Sequence, residues 1–295
     1  MKVLVTGGTG FVGPHVVHAI RAQGHDVRAL VRRPGSKGGR KLASWGCELA
    51  QGDMTDAESL RRAVAGCDAV VHLVALLFGT PDDFRRVMEQ GTRDLVAAAQ
   101  EAGAGRFVLM SANGAVEARD LTPYFAAKWD EERAVAESGI PYVTFRPSFI
   151  LGPDGGQLPA QLMLTRFSPV TPIMGRRRFQ PIWVDDVAAF FAAALTNDAA
   201  TNREFGLGGP DVVTWDEFHA EVRRVLGKRR LTVRVPPGLL KAAASVGQIL
   251  PPFHGARAAV EMLDFDDNVA DPGPAIETFG IRPIDLRSQI RRAVA

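Results

Sequence analysis

Tyr124 and Lys128 stand four residues apart in the run Tyr-Phe-Ala-Ala-Lys, and Ser111 lies thirteen residues before the tyrosine. A spacing of four puts a phenol and an ammonium on one face of a helix. A free phenol ionises near pH ~10 and is a poor base at neutral pH, but a neighbouring ammonium favours the phenolate and lowers that value. Ser111 ends the apolar run RFVLMS (106–111), where its hydroxyl is placed to donate to a substrate carbonyl oxygen. Such a set polarises a carbonyl while a proton and a hydride are exchanged. The chain has two tyrosines and six lysines in 295 residues, so the spacing is hard to meet by chance.

Hydride chemistry needs a carrier, and the N-terminus supplies a place for one. Thr6-Gly7-Gly8-Thr9-Gly10-Phe11-Val12-Gly13 follows the apolar run KVLVT (2–6). Gly8, Gly10 and Gly13 fit G-x-G-x-x-G; Gly7, Gly10 and Gly13 fit G-x-x-G-x-x-G. Between a strand and a helix, these glycines permit a tight turn and let backbone N–H groups approach a pyrophosphate at the helix N-terminus. The residue after the second strand selects the dinucleotide: an acid holds the ribose 2′-hydroxyl of NAD, an arginine the 2′-phosphate of NADP. Here Val31 is followed by Arg32 and Arg33 with no acid, which favours NADP(H), with NAD(H) as the alternative. Asp53, after the third strand, is placed to accept from the adenine amino group and also to begin the turn into the next helix.

These residues require a frame. Apolar runs at 2–6, 25–31, 48–53, 68–76, 106–111 and 142–145 read as buried parallel strands. Helical patterns lie between them at 14–23, 55–65, 85–102 and 122–138. Thr55-Asp-Ala-Glu reads as a capping box, and Gly24, Gly66, Gly103 and Gly139 as helix stops. The alternation predicts an α/β chain, a doubly wound parallel sheet of the Rossmann type, over residues 1–150. A smaller α+β substrate-side subdomain is expected mainly over 151–295, with 183–208 returning to the nucleotide domain. Helices are expected there at 185–197, 214–226, 237–249 and 284–294, with a strand at 231–235. The irregular stretch 146–182 is expected to line an apolar cleft with Leu158, Met163, Phe167, Met174 and Phe179.

Bulk properties narrow the classes. A net charge of +2 argues against nucleic acid or an anionic membrane as partner. Cys47 and Cys67 belong to no C-x-x-C pair and read as structural thiols of a reducing, cytoplasmic compartment. No metal-ligand spacing occurs, no metal is expected, and the six histidines read as surface or packing residues. The N-terminus does not read as a signal peptide, and no run approaches the roughly 18 apolar residues of a membrane span.

Taken together, TGGTGFVG, GDMTD, Ser111, YFAAK and RPSFILGP resemble the short-chain dehydrogenase/reductase superfamily, most of all its atypical, extended, epimerase/dehydratase-like members. The narrower phrases LMSANGA, QPIWVDDVA and EMLDFDDNV are similar to bacterial relatives of the nucleotide-binding accessory subunit of respiratory complex I. The resemblance implies pyrophosphate contacts from Gly7, Gly10, Phe11 and Val12, and ribose or phosphate contacts from Arg32 and Arg33. It implies that Asp53 and Met54 border adenine and that Val74 and Ala75 lie along the cofactor. Tyr124 as acid/base and Lys128 as its partner would stand at the nicotinamide with Ser111, and Pro147, Ser148 and Phe149 would close over the carboxamide. Leu73-Val74-Ala75-Leu76 replaces the Asn-Ala-Gly of many active members, and a single serine stands where many have a Ser/Thr pair.

Three functions follow as expectations. The first is an NADP-dependent oxidoreductase acting on a small carbonyl or alcohol. The second is a nucleotide-sugar epimerase or dehydratase, to which the arginine run 176–178 would offer a diphosphate contact. The third is a non-catalytic NAD(P)-binding accessory or assembly subunit, peripheral to a membrane complex through the stripe 237–250. The chain is expected to be a monomer or a homodimer.

Overall fold

A computed structural model of the protein describes residues 1–77, 79–174, 177–235 and 267–295. The first half runs β1 (Lys2–Thr6), α1 (Gly13–Ala22), β2 (Asp26–Val31), α2 (Lys37–Ser44), β3 (Glu48–Gln51), α3 (Ala57–Val64) and β4 (Ala69–His72). A short turn α4 (Pro81–Asp83) and a wide π turn (Phe84–Gln90) lead into α5 (Gly91–Glu101), followed by β5 (Arg106–Met110), α6 (Pro123–Ala136) and β6 (Tyr142–Pro147). Beyond these come β7 (Phe149–Leu151), α7 (Leu158–Phe167), β8 (Val170–Met174), β9 (Arg178–Phe179), β10 (Pro181–Trp183), α8 (Val184–Ala193) and β11 (Arg203–Leu207). The chain continues with β12 (Val213–Thr214), α9 (Trp215–Leu226), β13 (Leu231–Val235), α10 (Gly273–Phe279) and α11 (Leu286–Val294).

Seven strands form one parallel sheet in the order β11-β6-β5-β4-β1-β2-β3. The expected doubly wound parallel sheet is therefore present. Successive residues of β1 serve opposite faces: Val3 and Val5 join the core under α1 and α8, while Leu4 joins the one under α3 and α5. All three are fully buried, as a strand covered on both faces requires. Phe145 of β6 anchors the larger core against Phe190, Phe191, Phe205 and Phe279, with centroids 4.9 Å from Phe191. Strand order reverses between β1 and β4, the switch point where α/β sheets bind ligands beyond their carboxyl ends.

Several elements depart from the sequence reading. Asp56, not Thr55, caps α3, accepting from Glu58 N and Ser59 N; Thr55 instead donates to Asp53. The continuous helix expected over 85–102 is broken by the π turn, which lets Gly91 pass close to the Met54 carbonyl. The irregular stretch contains α7 and short strands that pair pairwise: β7 with β10, β9 with β12, and β8 with β13. The helix expected at 237–249 lies outside the described residues.

Candidate functional site

A cleft of about 490 Å³ opens over the carboxyl ends of the central strands. Its floor at one end is the turn between β1 and α1. Gly7 there has φ +74°, and an added Cβ would come within 2.9 Å of the Leu73 backbone. A Cβ on Gly13 would collide with the Gly7 carbonyl oxygen and the Gly8 backbone. Helix α1 thus approaches β1 through space that only glycine leaves, with backbone N–H groups at the helix start. Gly10 and Phe11 complete this wall, and the Phe11 ring packs on Gly152 and Gly155.

Arg32 stands exposed where β2 ends and lines the cleft. Beside it, Asp53 accepts from Thr55 N at 2.9 Å and Thr55 Oγ1 at 2.7 Å. Burial raises the Asp53 carboxyl, but these hydrogen bonds and the Arg32 charge outweigh it, leaving it below the usual carboxylate range. Asp53 therefore remains an anion facing the cleft beside a cation.

At the opposite end lie Ser111, just after β5, and Tyr124, in the first turn of α6. Thr122 caps α6 by accepting from Phe125 N at 3.3 Å, with Pro123 in the first turn. That cap fixes where the phenol emerges. Ser111 N donates to Phe145 O at 2.8 Å, while its buried hydroxyl has no hydrogen-bond partner. A buried hydroxyl left unpaired costs about 1–3 kcal/mol, and a ligand oxygen in the cleft would satisfy it.

The cleft gathers most of the residues singled out from the sequence: Gly7, Gly10, Phe11, Val12, Arg32, Asp53, Met54, Val74, Ala75, Ser111, Tyr124, Pro147 and Ser148. Arg33 is exposed and does not line it. Phe149 packs against Phe179 and Trp215 instead. The apolar residues expected to line it from the irregular stretch do not: Leu158 and Phe179 are buried in the core, and Met163 and Phe167 are exposed on the surface. Nothing is described of the Met174 side chain. The apolar wall is built instead by Leu76, Leu77, Val87, Met110 and Ile150. Among the described residues of the arginine run, Arg178 is held by Asp267 at 2.7 Å.

Lys128 is the main correction. Its side chain is 1% exposed and lies beneath the cleft, bonded to Glu131 Oε2 at 2.8 Å, Met110 O at 2.9 Å and Val74 O at 3.3 Å. Burial, and then the Glu131 charge, push the Tyr124 phenol above its ordinary value, opposite in direction to the lowering expected from Lys128. Glu131, in the run Trp-Asp-Glu-Glu that follows Lys128, belongs to none of the motifs in the sequence. The i, i+3 spacing to Lys128 was its only signal. His72 and Thr92 continue the buried polar chain below, His72 Nε2 meeting Thr92 Oγ1 at 2.9 Å and His72 Nδ1 meeting Thr6 Oγ1 at 2.6 Å. Asn268 ties the C-terminal segment to the site: its carbonyl accepts from Ser148 Oγ at 2.6 Å, and its side-chain oxygen from Asn113 Nδ2 at 2.9 Å.

Among the described residues no group of His, Cys, Asp and Glu is arranged to hold a metal ion, and no helix is long and apolar enough to cross a membrane. A ceramide reductase of Caulobacter vibrioides is 34% identical over 273 residues, covering 90% of this chain and 84% of that protein. The Photosystem II assembly factor Ycf39 of Synechocystis sp. is 26% identical over 294 residues, covering 96% of this chain and 86% of that protein. The crystal structure of the Citrobacter sp. triphenylmethane reductase complexed with NADP(H) superposes with a TM-score of 0.80 at 21% identity, covering 99% of this chain and all of that one. The NmrA-like family profile matches residues 1–289, and the chain belongs to that family, an atypical branch of the short-chain dehydrogenase/reductase superfamily.

Proposed function

We propose that the chain is an NADP(H)-dependent reductase of a carbonyl carried on an apolar molecule. The observation that carries this reading is the continuity of one cleft, from the glycine turn and Arg32 to Ser111 and Tyr124. The glycine cradle and the unpaired Ser111 hydroxyl fit a dinucleotide and a carbonyl, respectively. A bound reduced nicotinamide supplies hydride to a carbonyl carbon. The chain's own residues do the rest. The turn and the start of α1 hold the pyrophosphate, and Arg32 takes the 2′-phosphate in place of the acid that would prefer a ribose hydroxyl. Ser111 donates to the carbonyl oxygen, and Tyr124 delivers the proton to it. Leu76, Leu77, Val87, Met110 and Ile150 exclude water and select an apolar substrate. The ceramide reductase relative is named for a lipid substrate, which accords with that wall. Both cysteines are buried free thiols pushed upward by burial, which suits a reducing compartment.

Titration with NADPH and NADH, read by nucleotide fluorescence, tests the cofactor. Wild type is expected to prefer NADPH, and Arg32→Ala to lose roughly tenfold or more in NADPH affinity, with NADH little changed. Binding of neither nucleotide, or a preference indifferent to Arg32, would refute it. A second reading, an NADP(H)-binding assembly subunit, is favoured by the Ycf39 relative over nearly the whole chain. It predicts the same binding without turnover.

A further inference from the structure

Helix α7 carries apolar side chains on its outer face while polar ones lie inside. Gln161 and Thr165, one turn apart, are buried, and their side-chain oxygens have no hydrogen-bond partner there. Met163 and Phe167, also one turn apart, are 62% and 75% exposed. A helix of a globular domain normally does the reverse, burying apolar residues and wetting polar ones. The apolar surface continues onto β13. The Arg230 guanidinium donates to the last-turn carbonyls of α7, Thr165 O at 3.0 Å and Arg166 O at 2.9 Å, and Leu231 N donates to Pro169 O at 3.2 Å. Strand β13 is thereby fastened to the end of α7, with Leu231 and Val233 73% and 51% exposed. These four make up half of the eight large apolar side chains exposed among the described residues. Single exposed apolar residues are ordinary; a cluster marks a surface that meets something.

Charge is distributed to match. No acid occurs in residues 155–184 or 222–260, the stretches that supply α7, β8 and β13. Together they hold 12 of the 35 cations, which leaves 23 cations against 33 acids in the rest of the chain. The net charge of +2 therefore averages a basic part with an acidic remainder, and it does not argue against an anionic surface at this face. Two cations of these stretches are taken by acids from outside them, Arg178 by Asp267 and Arg224 by Glu221. Arg166, Lys228 and Arg229 are exposed around the end of α7 and the start of β13.

We infer that this face, the outer side of α7 with the start of β13, docks on an anionic phospholipid bilayer. Met163, Phe167, Leu231 and Val233 enter the boundary between headgroups and acyl chains, and Arg166, Lys228 and Arg229 meet the headgroup phosphates. An apolar patch with a basic rim is what interfacial docking requires, and it needs no membrane-spanning helix. A nucleic acid would use the cations but leave the aliphatic side chains in water. The acidic remainder of the chain is repelled by the same surface, which selects the face that lands. The inference does not depend on the reductase reading.

Co-sedimentation of the full chain with lipid vesicles tests it. The protein is expected to bind vesicles of phosphatidylcholine mixed with phosphatidylglycerol in roughly 0.1 M salt, and not vesicles of phosphatidylcholine alone. Each cation at an anionic surface contributes about fivefold in affinity, so Arg166→Gln/Lys228→Gln/Arg229→Gln is expected to bind roughly 10²-fold more weakly. Phe167→Ser/Leu231→Ser is expected to lose about tenfold or more. Should either variant not fold, the wild type still decides: its binding is expected to weaken about tenfold or more when salt is raised to roughly 0.5 M. Binding to neither vesicle, equal binding to both, or binding indifferent to salt would overturn the inference. A folded variant of either kind that bound like wild type would overturn it too. Binding to duplex DNA but to no vesicle would assign the face to nucleic acid and equally overturn it.

Discussion

His72 lies wholly inside the sheet between Thr6 and Thr92, and burial together with the Lys128 charge holds its imidazole down at about 3. In the unfolded chain it takes up a proton near pH ~6.5. The unfolded state then binds more protons than the native one, so this contribution to stability is present above that pH and lost as pH falls towards 3. Glu131 runs the other way. Burial, offset in part by Lys128, raises its carboxyl to about 7, so its contribution is present below pH ~4.3 and lost as pH rises through 7. The two oppose each other between these limits, and His72 acts alone below them. His72→Gln is therefore expected to lose less stability than wild type on acidification below pH ~4.3, by up to about 1.4 kcal/mol per pH unit. Urea midpoints at successive pH values check this, and parallel slopes would contradict it. At this scale the sequence was informative where chemistry has a local signature: Gly7, Gly10, Gly13, Arg32, Asp53, Ser111 and Tyr124 all line one cleft. It was misleading for Lys128, because a spacing of four shows only that two side chains share a helix face. Where the ammonium goes was decided by Glu131 and two strand-end carbonyls, contacts that span up to 54 residues.

The start of α1 depends on close approach more than on helix propensity. A methyl group at Gly13 would meet the Gly7 carbonyl and the Gly8 backbone, neither of which can yield without moving β1 or the turn. Gly13→Ala is expected to cost about 1–3 kcal/mol through overpacking and to abolish the thermal shift that NADPH gives the wild type. Melting curves with and without NADPH check both, and a variant that kept the ligand shift would count against the proposed role of this turn. The long elements of the first half were legible because their periodicity is strong and glycine ends each helix. The short ones were not. Helix α2 offers one buried large apolar residue, Leu42, within a run of lysine, arginine and glycine. Strands β9 and β12 are two residues each, too short to show alternation. The π turn at 84–90 has no sequence period of its own; it arises where the helix must skirt Met54.

Across the whole molecule, segments distant in sequence converge on the nucleotide domain. Strand β11 extends the main sheet beside β6, α8 packs on α1, and Asn268 clasps the loops after β5 and β6. The doubly wound sheet was legible because buried parallel strands read as continuous apolar runs. The second half was less so, since its strands other than β11 form separate two-stranded pairs whose partners lie 32 to 61 residues apart. What this assembly produces, among the described residues, is one continuous cleft with the glycine turn and Arg32 at one end and Ser111 and Tyr124 at the other. The most direct test is NADPH consumption with a panel of apolar ketones, comparing wild type with Tyr124→Phe after NADPH binding has been verified in both. The account predicts that wild type turns over at least one ketone and that Tyr124→Phe, while binding NADPH as tightly, is slower by a factor of about 10² or more. Equal turnover by the two proteins would contradict it.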